Sequence, residues 1–154
     1  MTTARWLDAD EKKTWAGFLA MWPTLEGVIA RELARDGLSI ADYELLVPLS
    51  EAPRGEMRAR DLAREVGWDK ARLSKYVARM DKRGLVSRHI CHTDSRGSVV
   101  RLTRQGREAI ESAAPHHVET VRRYFFDLLT PSEARVLDGI MAKMSSRAAK
   151  DWDG

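Results

Sequence analysis

Nowhere in these 154 residues do about 18 apolar side chains run together, so nothing in the sequence reads as a membrane span. Cysteine is nearly missing. Cys91 stands alone, which excludes an internal disulfide and suits a reducing cytoplasm. The opening segment, Met1–Lys13, carries acids and has no apolar core, which speaks against a secretory signal. There is no glycine-rich phosphate loop, no Gly-x-Ser-x-Gly and no His-Glu-x-x-His. A Cys–His pair built on Cys91 has no supporting motif. Internal repeats and low-complexity linkers are absent as well. These absences lead to the expectation of a cytoplasmic protein that is not an enzyme and carries no cofactor.

What is present is sorted by charge. From Pro53 to Arg107 there are 15 Lys/Arg against six acids, a local balance of +9. The remaining residues hold 11 bases and 17 acids, or −6, so the overall +3 conceals a basic middle between acidic ends. A polyphosphate suits such a segment, because neutralising phosphates releases condensed counterions. A basic but merely solvated surface is the alternative that charge alone leaves open.

With 44% hydrophobic residues, the length fits one compact domain, or a small domain with an appended dimerisation element. The acidic ends read as long helices. From Asp8 to about Ala34 the residues Trp15, Phe18, Leu19, Trp22, Leu25, Val28, Ile29 and Leu33 recur at helical steps. Gly37 offers a stop. Ser39 caps a second helix with Asp42 at its third position, and Pro48, Pro53 and Gly55 end it by about Ser50. Thr103 opens another long helix in which Pro115 predicts a kink or a break. Thr130-Pro131-Ser132-Glu133 begins the last helix with a capping box. The apolar stripes of these end helices exceed what one chain covers easily, so a homodimer is expected; a helical bundle within one chain is the rival.

The most specific pattern lies between Arg60 and Arg83. Leu62, Ala63 and Val66 form the inner side of a short helix, and Gly67 follows Ala63 by four residues, where a tight turn between crossing helices needs positive φ. Asp69 caps the next helix, whose apolar positions are Leu73, Tyr76, Val77 and Met80. At roughly 100° per residue these fall on one arc, leaving Ala71, Arg72, Lys75, Ala78 and Arg79 opposite, with Ser74 at the edge and Lys70 in the first turn. A helix placed in the DNA major groove reads bases through exposed residues near its N-terminus. Here those are Lys70, Ala71, Arg72, Ser74 and Lys75, followed by Arg79. Lys and Arg suit guanine O6/N7, Ala a thymine methyl, and Ser several edges or a phosphate. A solvated face with paired charges would mix signs, whereas no acid occurs from Lys70 to Arg79. Two β-rich runs, Leu85–Cys91 and Val99–Leu102, then flank a turn of Asp, Ser and Gly, which predicts a hairpin wing. Arg96 at its tip suits the narrow minor groove. Asp94 more plausibly shapes the turn than meets DNA.

Asp61-Leu62-Ala63, Leu73-Ser74-Lys75, Met80-Asp81-Lys82-Arg83-Gly84-Leu85-Val86, Asp94-Ser95-Arg96 and Leu102-Thr103-Arg104-Gln105-Gly106 resemble the MarR family of bacterial transcription regulators, over nearly the whole chain. Trp68-Asp69-Lys70 departs from the family's commoner small-residue entry to the recognition helix. The resemblance implies a mainly α fold with a small antiparallel β wing. It implies one MarR-type domain over 1–154, with a helical dimerisation region from 8–35 and 104–150 and a winged helix-turn-helix lobe from 39–103. It also implies a homodimeric repressor that binds a pseudo-palindromic site in double-stranded DNA and is released by a small aromatic or anionic ligand, the effect being a coupling free energy between two sites.

Three features bear on sensing. Trp15, Trp22 and Tyr43, with Arg58 as a countercharge, suit an aromatic anion, although dimer core is the favoured reading of the indoles. His89, Cys91 and His92, with His116 and His117 further on, are metal-ligand types, but no acid cluster or second cysteine joins them. Cys91 as an oxidant sensor would need a lowered thiol pKa, and a strand context supplies no helix end. A winged-helix lobe used only for protein contact is the rival from another class.

Overall fold

The computed structural model describes residues 4–90 and 97–152, which fall into two compact units divided after His117. The first unit begins with α1 (Ala9–Arg35) and α2 (Ile40–Glu51), followed by a 3-10 turn (Pro53–Gly55) and β1 (Glu56–Arg58). Then come α3 (Ala59–Glu65), α4 (Lys70–Lys82), β2 (Val86–Ile90), β3 (Ser98–Leu102) and the first two-thirds of α5 (Arg104–Tyr124). The second unit holds the rest of α5, a 3-10 turn (Phe126–Leu128) and α6 (Pro131–Trp152).

The helix starts follow from local chemistry. Asp8, Ser39 and Thr130 each stand before a helix, with Glu11, Asp42 and Glu133 closing reciprocal capping boxes. Gly67 takes φ +67°, and the next residue, Trp68, returns its amide to the Ala63 carbonyl at 2.9 Å. That ending satisfies the last carbonyls of α3 and turns the chain into α4.

Two expectations from the sequence need correction or addition. α5 runs unbroken through Pro115, and Pro23 and Pro48 likewise sit inside α1 and α2. A proline removes one backbone hydrogen bond, here the one to the carbonyl four residues earlier at Leu19, Glu44 and Glu111, all exposed residues. The sheet, moreover, has three strands in the order β1-β3-β2. Both pairings are antiparallel, Val86 opposite Leu102 and Met57 opposite Val100. Glu56 lies across from Arg101 and accepts its guanidinium at 2.6 and 2.8 Å; that hydrogen bond holds the Glu56 carboxyl below its ordinary range.

The first unit's core is leucine-rich. Leu45, Leu46, Leu49, Leu62 and Met80 are fully enclosed, joined by Leu33, Val77, Val86 and Val100. α1 enters it only at its C-terminal end. Its residues are exposed as far as Thr24, including Trp15, Phe18, Leu19 and Trp22, and burial rises from Leu25 to Leu33. In the second unit, α6 leaves Val136, Ile140, Met141 and Met144 exposed. Among the described residues no helix is long and apolar enough to cross a membrane.

Candidate nucleic-acid interface

α4 begins at Asp69, whose carboxylate accepts the Arg72 amide at 2.8 Å and so fills one of the open donors of the first turn. Leu73, Val77 and Met80 point into the core. Lys70, Ala71, Arg72, Lys75, Ala78 and Arg79 are exposed, and Ser74 is half-buried at the boundary, as the helical phase predicts. Among the described residues, none of Lys70, Arg72, Lys75 and Arg79 is held in an ion pair. Arg72, Lys75 and Arg79 therefore project from one side of the helix, with Lys70 exposed in its first turn, and among the described residues no carboxylate pairs with any of the four.

This helix is anchored at its far end by a network centred on the buried Asp42. Arg83, the residue after α4, donates to Asp42 at 2.7 Å and to the Gly37 carbonyl at 2.7 Å. Burial works against the charged form of Asp42. The hydrogen bonds from Arg83 and Ser39 outweigh it and hold the carboxyl below its ordinary value. Asp42 and Arg83 together thus join the start of α2, the turn after α1 and the end of α4. The start of α5 is fastened to the same place. The Thr103 hydroxyl donates to the Gly84 carbonyl at 2.6 Å and accepts the Gly106 amide at 2.9 Å. Gln105 donates to the Arg83 carbonyl at 3.3 Å. A side chain at Gly106 would collide with the Leu85 carbonyl, so only glycine lets the helix approach this closely. The Lys82–Val86 and Leu102–Gly106 signatures are thus two halves of one joint.

Two residues beside the cationic face were not expected in it. The Trp68 indole is buried to 8% exposure, tilts against Tyr76 at 5.1 Å, and lies under the Arg72 guanidinium at 4.0 Å. The sequence shows Trp68 only as an unusual residue before a cap. Arg88 on β2 comes within 3.4 Å of the Ser74 hydroxyl, which adds a base at the edge of the same surface.

The other sequence-derived sites are scattered. Arg96 and Asp94 of the wing, and Cys91 and His92 of the metal and oxidant readings, lie outside the described residues. His89 is exposed, its Nε2 3.0 Å from the Ser87 hydroxyl. Among the described residues no three His, Cys, Asp or Glu side chains are grouped to hold a metal. Trp15 stacks on Phe18 at 5.6 Å, and Arg58 is exposed at the end of β1. Tyr43 packs on His117 at 4.3 Å. No ring contact joins Trp15 or Trp22 to Tyr43 among the described residues. Burial lowers the His117 pKa and raises that of Tyr43. His116 instead faces Asp36 at 3.0 Å.

No family model matches the chain. Solved structures do. The chain superposes with a TM-score of 0.91 and 37% identity on AbsC, a MarR family transcriptional regulator from Streptomyces coelicolor, covering 96% of this chain and 99% of that one. Sco3205, a MarR family transcriptional regulator from the same organism solved in complex with DNA, gives 0.89 and 38%, covering 94% and 91%. The HTH-type transcriptional regulator YdgJ of Bacillus subtilis is 32% identical over 108 residues, which is 70% of this chain and 64% of that protein.

Proposed function

This chain belongs to the MarR family of transcriptional regulators, and on that premise we propose that it is a sequence-specific reader of double-stranded DNA acting as a homodimer. The observation that carries the reading is the exposed side of α4, where Arg72, Lys75 and Arg79 project, with Lys70 in the first turn and none of the four in an ion pair among the described residues, while Leu73, Val77 and Met80 seat the helix. In a major groove, Lys70, Ala71, Arg72, Ser74 and Lys75 meet base edges and Arg79 meets phosphate. Arg96, on the wing that Asp94 shapes, follows the adjacent minor groove. The complex of Sco3205 with DNA supports the same use of the family fold here.

Residues 39–103 form the reading lobe, and 8–35 with 104–150 form the dimerisation region. Support for the dimer comes from the apolar faces left open on α1 and on α6. Two copies related by a twofold axis present two recognition helices to half-sites about one helical turn apart. A dimer seated on such a pseudo-palindrome within a promoter acts as a repressor. Release follows from a small aromatic anion, for which Trp15, Trp22 and Tyr43 supply ring faces and Arg58 a positive charge. Such a ligand weakens DNA binding only by its preference for the lobe spacing that does not fit the duplex. Thermal shift with a panel of aromatic carboxylic acids tests this part; no shift with any of them would remove it.

The DNA reading is tested by equilibrium binding to a selected duplex at two salt concentrations. The expected result is a loss of affinity with a log–log slope of about −0.9 for each phosphate neutralised. Absence of duplex binding in dilute buffer would instead leave a lobe built for protein contact.

A further inference from the structure

We propose that Trp68 is a specificity-positioning residue, whose indole face holds the Arg72 guanidinium in the orientation from which it reads a base. The inference rests on the reading of α4 as the recognition helix and adds a residue to it that touches no DNA. Trp68, Arg72, Tyr76 and Arg79 follow one another at steps of four, four and three residues, so they run along one line of the helix and its entry turn. The rings and the cations alternate along it. Arg72 lies over Trp68 at 4.0 Å, Trp68 leans on Tyr76 at 5.1 Å, and Arg79 lies over Tyr76 at 5.3 Å.

The two cations are not equivalent. The Arg72 guanidinium is much closer to its ring, and that ring is fixed: Trp68 is 8% exposed, and its amide is tied to the Ala63 carbonyl. Tyr76 is only half-buried, and Arg79 is looser over it. An arginine side chain has many rotamers, and a bidentate contact to a base needs one of them. An exposed arginine must be ordered when it binds; one already lying on an indole is ordered beforehand. A guanidinium held over a ring by its cation–π attraction uses none of its N–H donors in that contact, which leaves them for a guanine edge. A small residue at position 68 would leave Arg72 without this platform.

The test measures positional base preference with full-length protein and a panel of duplexes in which each base pair of the preferred site is replaced in turn. Four proteins are compared: wild type, Arg72→Ala, Trp68→Phe and Trp68→Leu, each first checked for an intact thermal unfolding transition. Arg72→Ala should flatten preference at one base pair per half-site by about tenfold. Trp68→Leu, which stays apolar but is smaller and has no π face, should flatten the same base pair by about fivefold with Arg72 present, and the other positions should keep their preference. Trp68→Phe should restore most of it. The proposal is overturned if Trp68→Leu keeps wild-type preference at the Arg72 base pair. It is equally overturned if Trp68→Leu weakens every duplex by one common factor, which would mark a purely structural role, or if Arg72→Ala flattens no position. Wild-type protein that binds no duplex would overturn the DNA reading itself, an outcome the wild-type arm reports separately.

Discussion

The reading lobe and the long end helices spend their apolar residues in opposite ways. In the lobe, Leu45, Leu46, Leu49, Leu62 and Met80 vanish from solvent within one unit. On α1 and α6, Trp15, Phe18, Trp22, Val136, Ile140 and Met144 remain open. Both regions show helical periodicity of similar quality in sequence, so periodicity says which side of a helix is apolar and not what will cover it. Where the pattern is broken by turns and by Gly67, Gly84 and Gly106, the chain folds back and covers itself. Uninterrupted stripes wait for another surface.

That contrast can be broken most forcefully from inside the lobe. Leu46→Ala should cost about 2–5 kcal/mol of unfolding free energy, read from the denaturant midpoint, because a fully enclosed leucine leaves a cavity. Asp42→Ala should cost about 1–3 kcal/mol, since it removes a cap and strands the Arg83 guanidinium. The folded pKa of Asp42 is lowered, so its contribution is fully present above the ordinary carboxylate value of about 4 and is lost as pH falls through the folded value. Acid unfolding of Asp42→Ala should accordingly depend less on pH in that window.

Outside the lobe the effect should move from folding to association. For the proposed homodimer, Ile140→Asp should raise the dissociation constant by about tenfold or more, roughly 1.4 kcal/mol, as read by light scattering across concentration. An unchanged dimer would place the interface elsewhere than on α6. The smallest effect concerns His117, whose pKa burial lowers. The unfolded chain then holds the extra proton more tightly, so wild-type stability declines as pH drops below about 6.5. His117→Phe keeps a ring against Tyr43 and should flatten that decline by a few tenths of a kcal/mol per pH unit. A slope equal to wild type would remove His117 from the account.

The recognition helix was legible because each of its constraints is local. Asp69 caps it, Gly67 turns into it, and apolar residues at the right phase leave Lys70, Arg72, Lys75 and Arg79 outside. The caps at Ser39 and Thr130 were legible for the same reason, while the Asp8–Glu11 box, equally local, was not read. β1 was not, because three residues are too few to show alternation, and its pairing with β3 is set by residues some 45 positions away. Of the kink or break expected at Pro115, the break does not occur: a missing amide weakens a helix locally, while α5, with Ile110 and Ala113 buried just before the proline, continues through it. The Arg72–Trp68 stack required knowing that the turn after α3 brings the indole under the side chain of the next helix. The family resemblance and the superposition on AbsC agree on the fold, while the proposed base contacts rest on these particular side chains.

The most direct measurement compares two charge reversals that alter net charge equally. Lys75→Glu places a carboxylate on the exposed side of α4, and Lys13→Glu places one on the exposed part of α1. If α4 enters the groove, Lys75→Glu should lower affinity for the preferred duplex by about a hundredfold, while Lys13→Glu stays within about twofold of wild type. Equal losses from the two reversals would mean that only the protein's overall charge matters, and would contradict the account.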